Sequence, residues 1–181
     1  MKINKNHKKG FTLIELLVVI SIIGLLSSIV LSATTNARKK TRDKARLSEI
    51  HQIATGLQLF ASDNNGLYPS TGAIWKCLGH TSLQNCWIGT TYQGSNSVNA
   101  DLDKFIKVPD DPLNNTSCQG DAYLYNSDYT PIGLPRGAYL HWFYEDTSLN
   151  TATACGRGVY GGTLAPSCTN YCWLYVGPYT P

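Results

Sequence analysis

Residues 11–33, FTLIELLVVISIIGLLSSIVLSA, are 23 consecutive positions with one charged side chain, Glu15. As an α-helix this run would be about 35 Å long at 1.5 Å per residue. That exceeds the roughly 30 Å of a bilayer's hydrocarbon core. It is apolar on every side, which suits lipid or the interior of a filament and not the surface of a globular domain. A cleaved secretory signal fits less well, because its apolar region runs to only about 7–15 residues before a small-residue exit. The exit here, Leu31-Ser32-Ala33, puts a leucine where a small residue is wanted.

Glu15 is the anomaly. A carboxylate inside a membrane segment costs a few kcal/mol and marks a functional position by default. A simpler reading places it near the helix start, where the helix dipole favours an anion. Both readings gain if the chain is cut after Gly10, because the new ammonium of Phe11 then lies one turn from Glu15. Four lysines, Lys2, Lys5, Lys8 and Lys9, precede the cut with no acid among them.

Gly10 followed by Phe11-Thr12-Leu13-Ile14-Glu15-Leu16-Leu17-Val18-Val19-Ile20 closely resembles the class III signal of type IV prepilins and type II secretion pseudopilins. The resemblance implies that prepilin peptidase cuts between Gly10 and Phe11 and N-methylates Phe11. It implies that Glu15 meets the Phe11 amine of an adjacent subunit during assembly. It also implies partners, namely other pilin subunits and an assembly platform in the membrane, and a folded part outside the cytoplasmic membrane. Gly24 matches a common family glycine, whereas many members have a proline where this chain has Ser32.

Charge is informative only when divided along the chain. The net +3 arises because the four leader lysines and residues 38–46, which hold Arg38, Lys39, Lys40, Arg42, Lys44 and Arg46 against Asp43 alone, outweigh Glu15, Glu49 and a chain from His51 onward that is net −4. The basic residues cluster beside the apolar run and not on the distal part, so no nucleic-acid partner is expected. The cluster also conflicts with the positive-inside rule, since six basic residues follow the run and four precede it. The cysteines and the family resemblance both favour an outside C-terminus.

All six cysteines, Cys77, Cys86, Cys118, Cys155, Cys168 and Cys172, lie in the distal part. An even set beyond a membrane segment points to disulfides in an oxidising compartment. Fifteen connectivities are possible, and the nearest pair, Cys77 with Cys86, closes the cheapest loop. Zinc would want tight pairs, for which Cys168-x-x-x-Cys172 is one candidate, whereas Cys77 and Cys86 are too far apart.

Beyond Ala33 the helix is expected to continue, since Leu47, Ile50, Ala54, Leu57 and Ala61 recur at three-four spacing. From Asn36 to Arg46 the pattern is polar all round, which predicts a solvated stem or a subunit contact. Asp63-Asn64-Asn65-Gly66 should stop the helix, with Gly66 as a left-handed cap and Pro69 beyond. Residues 63–69 resemble the family's D-N-G-x-Y-P helix ending with one asparagine inserted. A helical turn is expected near Leu102, Phe105 and Ile106. Strands are expected at Tyr123-Leu124-Tyr125, at Trp173–Val176 and across residues 138–145, where Ala138, Leu140, Trp142 and Tyr144 alternate with Tyr139, His141, Phe143 and Glu145 as in a half-buried strand.

The expected fold is therefore α+β and pilin-like, a long N-terminal helix laid on a small antiparallel meander. The divisions are 1–10 leader, 11–33 membrane or filament-core helix, 34–62 amphipathic helix and 63–181 a disulfide-containing β-rich domain. No enzyme is expected, since His51, His80 and His141 have no nucleophile or metal spacing around them, and no phosphate loop or dinucleotide fingerprint occurs. Some pseudopilins carry a calcium loop, for which Asp101, Asp103, Asp110 and Asp111 are candidates, although Asp110-Asp111-Pro112 reads first as a turn. Two functions remain: a pilus or pseudopilus subunit, or a membrane-anchored adhesive or glycan-binding module that does not polymerise.

Overall fold

The computed structural model describes residues 11–79, 94, 96–109, 123–146, 155, 156, 158–165 and 168–179, without the side chains of 96 and 159–170. The element order is α1 (Leu13–Asp63), β1 (Lys76–Leu78), α2 (Asn96–Leu102), β2 (Tyr123–Tyr129), β3 (Gly137–Phe143), β4 (Val159–Ala165) and β5 (Cys168–Pro178). The chain divides into two compact units, one up to Arg38 and one from Lys39 onward.

In the first unit α1 is apolar on all sides and exposed, with Phe11 through Leu31 showing their side chains outward. An 18-residue window of mean hydropathy 2.7 makes this helix long and apolar enough to cross a membrane by length and composition. Four of its hydroxyl side chains are satisfied locally: Ser21 donates to the Leu17 carbonyl, Ser28 to Leu25, Thr34 to Val30 and Thr35 to Leu31. These bonds let polar residues sit in an apolar helix without stranded donors.

In the second unit α1 lies on an antiparallel sheet of strand order β1-β2-β3-β5-β4. The expected α+β class is therefore observed, but the sheet is not a simple meander, because β5 inserts between β3 and β4. The core joins Ile50, Ile53, Ala54 and Leu57 of α1 to Leu78, Tyr123, Tyr125, Ala138, Leu140, Trp142, Leu174 and Val176 of the sheet. The three-four stripe thus does what its period predicts. Gly56 sets how closely α1 approaches the segment after α2, since a Cβ there would fall 2.6 Å from Ile106 Cγ1.

The helix ends where expected, with Gly66 N–H donating to the Ala61 carbonyl at 2.7 Å. The left-handed pair is Asn65 (φ 57°) and Gly66 (φ 86°). In this Schellman arrangement Asn65 takes the capping position that the sequence suggested for Gly66. Tyr68 then donates to the Val176 carbonyl, and Tyr125 to that of Pro69, so the helix ending is fastened to the sheet.

Two expectations need correction. Strand β3 is not half-buried, because all seven of its residues are buried. On the face away from α1, Tyr139, His141 and Phe143 pack edge-on with Tyr129, Tyr171 and Tyr175, and His141 lies tilted against Trp173. Aromatic rings on both faces bury a strand whose sequence only alternates. The second correction concerns residues 36–46, treated below.

Cys155 and Cys172 form a disulfide across 17 residues, tying the segment before β4 to β5. With its sulfur in that bond, Cys172 has no thiolate to offer a metal, which removes the Cys168/Cys172 zinc reading. Cys77 is also disulfide-bonded. Cys86 and Cys118, and with them the expected Cys77–Cys86 pair, lie outside the described residues.

Candidate functional site

The residues of interest at the N-terminus are Phe11, Thr12 and Glu15; Gly10 lies outside the described residues. Thr12 is the last residue before α1, and Glu15 is its third helical residue. The Glu15 carboxylate accepts from the Thr12 backbone N–H at 2.8 Å and from the Thr12 hydroxyl at 2.6 Å, while Glu15 N–H donates to Thr12 Oγ1 at 3.3 Å. This is a reciprocal capping box, in which two otherwise orphaned helix-start donors are satisfied. The carboxylate is thus held at the very start of the helix, beside the residue that a cut after Gly10 would leave N-terminal. The sequence places the acid at the helix start but does not announce Thr12 as its partner. The T-x-x-E spacing, read as a cap, would have done so.

A second polar constellation sits at the start of the second unit. Asp43 and Arg46 are 5% and 3% exposed, so the first of the two readings of residues 36–46, a solvated stem, does not hold at these two positions. Asp43 accepts from the backbone N–H groups of Glu145 (2.9 Å) and Asp146 (2.8 Å) and from Arg46 Nη1 (2.8 Å). Arg46 also donates to Glu145 at 2.7 Å, and Arg42 grips the same carboxylate with two bonds of 2.8 and 2.5 Å. Lys40 stands 4.0 Å from Asp146.

Burial pushes the Asp43 carboxyl above its ordinary range, and the N–H groups of Glu145 and Asp146, with Arg46, only partly offset this. Burial also acts upward on Glu145, but hydrogen bonds from Arg42 and Arg46 outweigh it and hold the group below the usual carboxylate range. The arrangement fastens the end of β3 to α1. Residue periodicity cannot reveal it, because the acid that neutralises Arg42 and Arg46 lies about a hundred residues away in the chain.

The remaining candidates are not brought together. His141 is enclosed among Trp75, Phe143, Tyr171 and Trp173, with its pKa lowered to about 3 by burial, and serves as a packed ring. His51 is on α1, and His80 lies outside the described residues. Asp101 and Asp103 sit at the end of α2 and just past it, while Asp110 and Asp111 lie outside the described residues. Among the described residues no three His, Cys, Asp or Glu side chains cluster to hold a metal.

The profile of the prokaryotic N-terminal methylation motif matches residues 5–31. Among its relatives, type II secretion system core protein G of Pectobacterium carotovorum is 38% identical over 72 residues, 40% of this chain and 46% of that protein. The type IV wide pilus major component PilA4 of Thermus thermophilus is 37% identical over 73 residues, 40% of this chain and 55% of that protein. A fimbrial protein of Moraxella nonliquefaciens is 44% identical over 59 residues, 33% of this chain and 36% of that protein. The chain thus spans about half the length of the first relatives it matches. No solved structure matches it significantly.

Proposed function

We propose that this protein is a structural subunit of a type IV pilus or a type II secretion pseudopilus, polymerised through its N-terminal helix. The observation that carries the reading is the methylation motif at residues 5–31, whose described part runs into a helix with its apolar side chains from Leu13 to Leu31 exposed. Such a surface is stable only in lipid or against other helices. Prepilin peptidase cuts after Gly10 and methylates Phe11, leaving a single-pass protein in the cytoplasmic membrane with its folded part outside. Other pilin subunits and a membrane assembly platform then draw it into a filament. Glu15 supplies the carboxylate that pairs with the Phe11 ammonium of a neighbour.

The capping box makes this testable, because a cap and a charge partner respond differently to substitution. Glu15→Gln keeps a side-chain oxygen for the Thr12 N–H and so preserves the cap, but it removes the charge. Removing one partner of a buried ion pair costs about 3–5 kcal/mol, whereas losing a cap costs about 1 kcal/mol. Glu15→Gln and Glu15→Ala are therefore both expected to be cleaved and inserted, and both to be nearly absent from sheared filaments at equal membrane levels. Normal incorporation of Glu15→Gln would reduce Glu15 to a helix cap. Mass spectrometry of the mature protein, reading the cut after Gly10 and the methyl group on Phe11, tests the processing separately.

A further inference from the structure

We infer that the row Tyr171, Trp173 and Tyr175 on β5 binds a neutral polysaccharide, an extended chain of equatorially linked pyranose rings. The inference rests on the second unit alone and not on polymerisation. Strand β5 puts Cys172, Leu174 and Val176 into the core with α1, so its period of two turns Tyr171, Trp173 and Tyr175 to the opposite face. Strand β3 lies alongside in register, with Phe143 opposite Tyr171, His141 opposite Trp173 and Tyr139 opposite Tyr175. The two rows differ in access. Tyr139, His141 and Phe143 are 1%, 2% and 7% exposed, whereas Tyr175 is 41% exposed and Tyr171 and Trp173 are half-buried. The buried row holds the other in place: Tyr139 packs edge-on against Tyr175 with ring centroids 5.3 Å apart, and His141 against Tyr171 at 4.9 Å. The accessible rings are therefore preorganised, which lowers the ordering cost of binding.

Charge and geometry select the ligand. Strands β3, β4 and β5 contain no Asp, Glu, Lys or Arg, and burial lowers the His141 pKa to about 3, so that ring is neutral. These strands thus offer a charged ligand no counter-charge. The face of an aromatic ring is partially negative and attracts polarised C–H groups. An equatorially linked pyranose presents such groups on both faces of its ring. Four residues of strand separate Tyr171 from Tyr175, roughly 14 Å, a straight line that an extended chain follows and a coiled one does not. On the β4 side the residue paired with Tyr171 is Gly162, which has no side chain to obstruct a ligand. Tyr171 and Trp173 are inclined to each other at 61°. The row therefore fits a single chain that can twist, and not the flat surface of a crystalline polysaccharide.

The test titrates the full chain in detergent micelles, by calorimetry, with cellohexaose and chitohexaose, and with the coiled α-linked maltohexaose as a control. At least one of the two β-linked hexamers should bind, with little dependence on salt because no charge pair forms. Maltohexaose, and the β-linked dimer that is too short to span the row, should bind at least about tenfold more weakly. Trp173→Ala and Tyr175→Ala should each weaken hexamer binding at least about tenfold, as truncation of an aromatic anchor does, while Trp173→Tyr keeps most of it. Circular dichroism melting reads folding, and the more exposed Tyr175 carries the test if Trp173→Ala does not fold. Failure of both β-linked hexamers to bind the unmodified chain overturns the inference, as does equally tight binding of maltohexaose or binding abolished by salt. A folded Tyr175→Ala chain that binds the hexamer normally also overturns it. If that same chain enters filaments poorly, the row belongs to a contact with a neighbouring subunit instead.

Discussion

His141 shows how little a residue's identity says about its role without its surroundings. It is 2% exposed, ringed by aromatic side chains, and its pKa is lowered to about 3 by burial. The unfolded chain takes up a proton near pH 6.5, while the folded chain resists it down to about 3. Below pH 6.5 the unfolded state therefore binds more protons, and stability should fall by about 1.4 kcal/mol per pH unit. His141→Phe should abolish that part of the acid sensitivity, as checked by denaturant midpoints from pH 7 to pH 4. Glu145 makes a further contribution of the same sign at lower pH. Its folded pKa lies below the ordinary value, so its stabilisation is present above about pH 4.3 and is lost as pH falls through the folded value. Arg46→Met should cost more than a surface substitution, about 3–5 kcal/mol, because it leaves Asp43 buried with one cation fewer. The thermal midpoint against that of Lys44→Met checks it.

At the level of elements, α1 does two jobs with one continuous helix. Its first part has no inward face, while Ile50, Ile53, Ala54 and Leu57 give its later part a face that the sheet covers. Gly56 is a poor helix former, so alanine would gain roughly 1 kcal/mol of propensity there. Its added Cβ would press on Ile106, and overpacking typically costs about 1–3 kcal/mol. Gly56→Ala should therefore be neutral to destabilising, and a clear rise in melting temperature would show that Ile106 yields freely. The Cys155–Cys172 bond closes a 17-residue loop onto β5, for which chain entropy gives about 3 kcal/mol. Cys155→Ser/Cys172→Ser should lower the denaturation free energy by about that much without moving the sheet's circular dichroism.

For the whole molecule, every residue of the core cluster and of the Asp43–Glu145 latch lies in the unit that begins at Lys39. A chain lacking residues 1–38 should therefore fold and stay in solution, whereas one lacking residues 1–46 should lose the latch and melt at lower temperature, as circular dichroism will read. The N-terminal motif, the apolar run, the three-four stripe, the helix stop at Asp63–Gly66 and the α+β class were all legible in the sequence. Each depends on residues a few positions apart, where helix and turn geometry map order directly onto space. The Thr12–Glu15 cap belongs to the same local class and could have been read from its spacing. The burial of Asp43 and Arg46, the covering of both faces of β3, the insertion of β5 between β3 and β4 and the Cys155–Cys172 pairing could not. Each requires knowing which distant segment arrives: a polar stretch like 42–46 looks solvated until Glu145 is brought against it by the sheet. What the sequence by itself determined was the helix and its signal, because those are properties of neighbours along the chain. Which charges are spent inside the fold was decided only by the tertiary structure, because a charge's partner is chosen by packing and not by order.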